Sequence, residues 1–176
     1  MAEELAMREV YGKTLAELGA ENPDIVVLDA DLSASTQTKF FADKFPERFF
    51  DCGIAEQNMV TIAAGLASAG KIPFASTFAV FAPGRCFDQV RVSISQAKMN
   101  VKLVSTHSGL SVGEDGATHQ AIEDLALATS LLNFTVLVPA DGVETAQAVR
   151  AAAALQGPVY IRLPRLKSPV FYDKRY

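Results

Sequence analysis

Ile25-Val-Val-Leu28 is an unbroken apolar run between polar segments, the pattern of a strand covered on both faces. Similar short runs recur at residues 49–52, 72–76, 101–105, 135–138 and 159–163. The segments between them carry helical spacing or helix-forming composition. Apolar residues sit at Leu5, Met7, Val10, Leu15 and Leu18, which predicts a helix over residues 5–18 stopped by Asn22-Pro23-Asp24. Ser33, Ser35 and Thr36 read as N-cap residues for a helix over 37–44. Further helices are expected over 56–70, 79–96, 121–130 and 142–155, with Pro83-Gly84 bending or delaying the start of the 79–96 helix. The 56–70 segment is so poor in charge that burial on most sides is expected. Strands that alternate with helices in this way predict an α/β domain, three layers deep, with a mainly parallel sheet and helices on both faces.

The chain is long enough, at 176 residues, for one domain with a real core. A net charge of -4 argues against a general nucleic-acid surface. No apolar run is long enough to cross a bilayer, and the first residues lack a signal-peptide layout. Cys52 and Cys86 have neither metal-ligand spacing nor a disulfide framework, and read as reduced thiols in a cytoplasmic protein.

In a parallel sheet, ligands bind beyond the carboxyl ends of the strands. Most of the unusual polar residues fall in those loops: Asp29, Asp31, Ser33, Ser35, Glu56, His107, Glu114, Asp115 and His119. Glu56 lies where a strand-like run meets a helix-like run. An acid there suits the helix dipole without any function, or it is a working group. The chain's two histidines, His107 and His119, bracket one glycine-rich loop, a spacing that matches no metal-ligand pattern. Phe78 and Phe81, three apart after a strand, are either core or an aromatic wall for a flat heterocycle.

Three stretches carry a resemblance: Gly53-Ile-Ala-Glu-Gln-Asn-Met59, Ser76-Thr-Phe-Ala-Val-Phe81 with Phe87-Asp-Gln-Val-Arg91, and Gly113-Glu-Asp-Gly-Ala-Thr-His-Gln120. In order and spacing they resemble the pyrimidine-binding domain of transketolase, in the thiamine-diphosphate enzyme superfamily. The resemblance covers nearly the whole chain. It differs from the deoxyxylulose-phosphate synthase pattern, where a His usually follows the Gln of the first motif.

The resemblance implies a set of roles. Glu56 matches the glutamate that hydrogen-bonds the aminopyrimidine of thiamine diphosphate and promotes its imino tautomer. Phe78 and Phe81 match aromatics that pack on that ring. Asp115 matches an acid near the substrate's C2 hydroxyl, and His119 a position touching substrate oxygen. Arg8, Ser35, His107 and Arg165 match residues that hold a sugar phosphate, a dianion that suits Arg and Ser donors.

Departures from the family set further expectations. The diphosphate motif, Gly-Asp-Gly followed later by Asn, is absent, so Mg²⁺ and the diphosphate are expected on a partner domain, with no metal held by this chain. The stretch Ala82-Pro-Gly-Arg85 is one residue longer than in some relatives. Residues 1–166 read as the pyrimidine domain, and 167–176 as a tail leading to an absent C-terminal domain. The start at Met1 suggests the C-terminal subunit of a split transketolase, working with an N-terminal, diphosphate-binding subunit. A homodimer through the 56–70 and 79–96 helices is expected, with ketol transfer between sugar phosphates only in the full assembly. Other thiamine-diphosphate enzymes, namely the synthase above or a 2-oxoacid dehydrogenase β subunit, and a non-catalytic interaction module, are the alternatives.

Overall fold

The computed structural model describes residues 3–173. Met1 and the last three residues of the expected tail, 174–176, lie outside the described residues. In chain order the strands are β1 (Glu4–Ala6), β2 (Ile25–Asp29), β3 (Phe49–Asp51), β4 (Ile72–Phe78), β5 (Lys102–Thr106), β6 (Thr135–Leu137), β7 (Val159–Arg162) and β8 (Lys167–Pro169). The helices are α1 (Met7–Glu21), α2 (Ser33–Thr36), α3 (Lys39–Ala42), α4 (Glu56–Ser68), α5 (Phe87–Gln89), α6 (Asp124–Thr129) and α7 (Gly142–Ala154).

Six strands form one sheet in the order β3-β2-β4-β5-β7-β6, every pair parallel. Alternate side chains enter opposite cores, as the two-residue strand period requires. Leu28, Ala75, Leu103 and Tyr160 pack under α4 and residues 90–96. Ile25, Val27, Phe74, Val104 and Ile161 pack under α1, α3 and α7. The result is the expected three-layer α/β/α arrangement. β1 and β8 form a separate antiparallel pair.

Several boundaries differ from the sequence expectation, each for a local reason. The first helix starts at Met7 rather than Leu5, because residues 4–6 pair with Lys167–Pro169. Ser33, Ser35 and Thr36 do not cap a helix over 37–44. They lie in α2, Gln37 breaks the chain with φ +70°, and α3 follows. The cause is Asp29, whose carboxylate accepts from the hydroxyls of Thr36 (2.7 Å) and Thr38 (2.8 Å) and draws that turn against the end of β2. Residues 79–86 form turns, the helix begins at Phe87, and Val90–Gln96 is π-helical. Gly109 and Ala121 are bridged, which holds residue 121 extended and delays α6 to Asp124. Nor is α4 buried on most sides. Glu56, Met59, Val60, Ala63 and Ala64 face inward, while Gln57, Asn58, Thr61, Ile62 and Gly65 are exposed.

The segment after Arg165 is tied down. Besides β8, the Asp141 side chain caps α7 by accepting from Glu144 N (2.9 Å), and its other oxygen accepts from Phe171 N (2.7 Å) and Tyr172 N (2.9 Å). Those bonds hold the Asp141 carboxyl below the usual range, against the opposing effect of burial.

Candidate functional site

The sheet order places its reversal at β2. The chain leaves β2 for the edge strand β3, then returns to the other side of β2 as β4. Loops that diverge at the carboxyl ends of β2 and β4 open a crevice, the usual ligand position in such sheets. Here it is a cleft of about 620 Å³.

Asp29, at the end of β2, holds the loop that lines one side of it. Fully buried, this carboxylate accepts from Leu32 N (2.6 Å) as well as from Thr36 and Thr38. Burial raises its pKa to about 6, even though those three donors favour the charged form. The network folds residues 30–35 over the crevice and brings Ser35 to its wall. Asp51, at the end of β3, accepts from Asp31 N (3.1 Å) and Gly53 N (2.9 Å), joining the two strand ends.

Glu56 is the first residue of α4, and its side chain is 2% exposed. Arg85 Nη1 donates to both of its oxygens at 3.1 Å. Phe78, the last residue of β4, and Phe81, in the turn that follows, lie nearly parallel, with ring centroids 5.9 Å apart. His107 stacks on Phe78 at 3.8 Å, and His119 meets Phe81 edge-on at 5.5 Å. Four flat side chains thus form a continuous aromatic wall beside a buried carboxylate.

The other end of the cleft is cationic. Arg8, from α1, donates through Nη1 to the Ser35 carbonyl (2.8 Å), while its buried Nε has no partner among the described residues. Burial and the nearby Arg165 both lower its pKa. Arg165 donates to Glu114 at 3.1 and 3.3 Å. His107 has φ +57°, and its Nδ1 is paired with Thr106 Oγ1 at 2.9 Å. Burial, then Arg8, then Arg165, push its pKa down to about 4, so the ring is neutral at pH 7.

All nine residues singled out in the sequence, Arg8, Ser35, Glu56, Phe78, Phe81, His107, Asp115, His119 and Arg165, line this one cleft. Asp31 and Glu114, which stood out only as polar loop residues, line it too, with Ala30, Leu32 and Ile54. Arg85 was missed. It sits in the Ala82-Pro-Gly-Arg85 stretch, where no local pattern links it to an acid 29 residues earlier.

Residues 3–170 match the family model described as transketolase, pyrimidine binding domain. The chain belongs to the transketolase pyrimidine-binding domain family. It is 52% identical over 167 residues to a Methanocaldococcus jannaschii protein named as a transketolase C-terminal section, covering 95% of this chain and 53% of that protein. It is 42% identical to human transketolase over 174 residues, 98% of this chain and 28% of the human one. The pyrimidine domain therefore spans about half the length of the archaeal relative and just over a quarter of the human enzyme. Among solved structures, a split-gene transketolase, described as an inactive beta4 tetramer, superposes with a TM-score of 0.87 at 57% identity, over 98% of this chain and 55% of that one. Transketolase from Campylobacter jejuni superposes with a TM-score of 0.90 at 31% identity, over 98% and 27%.

Proposed function

We propose that this chain is the pyrimidine-binding half of a split transketolase active site. Assembled with an N-terminal, diphosphate-binding subunit, it transfers a two-carbon ketol unit between ketose and aldose sugar phosphates. The observation that carries this is the buried Glu56 carboxylate beside the parallel Phe78–Phe81 pair, at one end of a cleft whose other end is cationic.

The residues fit the aminopyrimidine end of thiamine diphosphate. A flat heteroaromatic ring needs a flat apolar wall, and its ring nitrogen needs a carboxyl group to share a proton with; Phe78, Phe81 and Glu56 offer both. When bound, thiamine diphosphate supplies the carbon nucleophile that carries the ketol unit. Its diphosphate and Mg²⁺ belong to the partner domain, because this chain lacks the Gly-Asp-Gly and Asn motif that would hold them. Glu56 holds the proton at the ring nitrogen and thereby orients the ring. His119 contacts substrate oxygen, and Asp115 faces the C2 hydroxyl. Arg8, Arg165, Ser35 and the neutral His107 donate to the sugar phosphate, for which two guanidinium groups supply the charge. Arg8 Nε is a donor with no acceptor among the described residues.

The half-site makes the isolated chain inactive, in keeping with the similar split-gene protein described as an inactive beta4 tetramer. Self-association uses the outward face of α4 and the stretch after α5, where Ile62 and Val92 are exposed. On this reading a further C-terminal domain follows the tail, and the archaeal relative, of which the chain covers 53%, has room for one. Two unpaired cysteines suit a cytoplasmic site of action.

The test is a ketol-transfer assay with Mg²⁺ and thiamine diphosphate, on the chain alone and on the complex restored with its N-terminal subunit and C-terminal domain. Activity is expected only in the complex, and is lost with Glu56→Ala. Turnover by the isolated chain refutes the half-site, and an inactive assembled complex refutes the transketolase reading. Light scattering that finds a monomer at tens of micromolar removes the self-association.

A further inference from the structure

Glu56 is nearly fully buried, and a buried carboxylate requires a cation or several donors. Among the described residues, the hydrogen bonds that reach its oxygens come from one atom, Arg85 Nη1, at 3.1 Å to each. A single donor placed symmetrically between two oxygens sets the plane of the carboxyl group. It also occupies one side of each oxygen and leaves further lone pairs free.

Glu56 lines the cleft, and Arg85 does not. Arg85 approaches from behind, with a side chain that is 44% exposed to solvent. It is held there from two directions. Its guanidinium lies over the Phe81 ring, 4.2 Å from the centroid, and its backbone N donates to the Phe81 carbonyl at 2.9 Å. Its carbonyl accepts from Gln57 Nε2 at 3.3 Å, and Gln57 follows Glu56 in the first turn of α4. One residue thereby ties the carboxylate to the aromatic wall, fixing the relative position of the two groups that would hold a heteroaromatic ring.

We propose that Arg85 is a positioning residue for Glu56: from outside the cleft it balances the buried carboxylate's charge and aims its free lone pairs at the ring nitrogen of a bound aminopyrimidine. This role rests on the function proposed above. Glutamate has three rotatable side-chain bonds, and a group that must meet a ring nitrogen tolerates little misplacement. Lysine at position 85 restores the charge, though without the flat stacking on Phe81.

The experiment is a titration of thiamine diphosphate, with Mg²⁺, into the complex of this chain with its diphosphate-binding subunit, followed by calorimetry. Wild type is compared with Arg85→Gln, Arg85→Lys, Glu56→Gln and the Glu56→Gln/Arg85→Gln double variant. Arg85→Gln is expected to weaken binding about tenfold, as the loss of a charge-assisted hydrogen bond does. Arg85→Lys is expected to stay within about threefold of wild type, and in the Glu56→Gln background the Arg85→Gln change should cost less than about twofold. Equal costs of Arg85→Gln in both backgrounds would overturn the proposal, since Arg85 would then act through Phe81 alone. No cost in either background overturns it as well. Where Arg85→Gln fails to assemble, Arg85→Lys carries the test, because a weakening as large as that of Glu56→Gln shows that the cation does not act as a charge partner. Absence of binding by the wild-type complex is a separate result: it removes the thiamine-diphosphate function, and this role with it.

Discussion

Replacing His107 with Gln isolates one buried titration. The ring is stacked on Phe78, paired with Thr106 and close to two guanidinium groups. Its pKa falls from 6.5 to about 4. Between those values the unfolded chain binds a proton that the folded chain refuses. The stabilisation from the neutral ring is therefore fully present above about pH 6.5 and is lost as pH falls through about 4. At about 1.4 kcal/mol per unit, the whole shift is worth about 3 kcal/mol, and screening on the open side of the cleft reduces that to about 2. Asp29 titrates in the same range with the opposite sign. Its pKa is raised to about 6, so its contribution is present at low pH and lost as pH rises through that value. The two partly cancel in the wild type, and only a difference between proteins separates them. Urea unfolding of wild type and His107→Gln at about pH 7, 6, 5 and 4 should show the variant gaining on wild type by about 2 kcal/mol towards the acid end. A difference independent of pH would refute both the depressed pKa and the packing that explains it.

Asp141→Ala removes the α7 cap and the two bonds to residues 171 and 172; urea unfolding should show a loss of about 2–3 kcal/mol, with faster proteolysis of the chain after residue 169. Lys102 is fully buried in β5, with its ammonium donating to Asn100 Oδ1, Leu155 O and Gly157 O at 2.6–2.8 Å. Lys102→Met strands two carbonyls without that donor and should cost about 2–4 kcal/mol in the same assay. At Gly12 of α1 an added Cβ would meet the Gln37 carbonyl, so Gly12→Ala should lower stability by about 2 kcal/mol. Gly65→Ala meets nothing within 4 Å and should raise it by about 1 kcal/mol, so similar thermal shifts for the two would contradict the close approach of α1 to the 36–39 turn.

The strands were legible because parallel strands covered on both faces have no polar alternation to hide them, as Ile25-Val-Val-Leu28 illustrates. The site was legible for a topological reason. In a sheet whose strands all run one way, every strand-to-helix loop emerges at the same end, so polar residues far apart in sequence converge there. Arg8 was the topological exception, because α1 leads into the first strand of the sheet; it and Arg165 were assigned to the site by the resemblance alone. What escaped were effects of one side chain on distant backbone. Thr36 looks like a helix-cap residue until Asp29 claims its hydroxyl together with that of Thr38, and Arg85 looks like an exposed charge until Glu56 is seen behind it.

The outward face of α4 shows a different kind of mismatch. Its charge-poor composition predicts burial on most sides, yet only the inward stripe of Glu56, Met59, Val60, Ala63 and Ala64 is covered in the chain alone. Thr61, Ile62 and Gly65 make an outer face without a charge, where a monomeric surface helix ordinarily carries several. Composition reports what a helix is adapted to touch, and the fold of one chain reports only what it touches within that chain. The discrepancy is accounted for if α4 evolved in the self-associated state proposed above, with Glu56 and Gln57 at its start linking the covered face to the cleft. The same helix would then set both the assembly and the position of the carboxylate, and disruption of its outer face would reach the site through the hydrogen bonds that link Gln57 and Glu56 to Arg85.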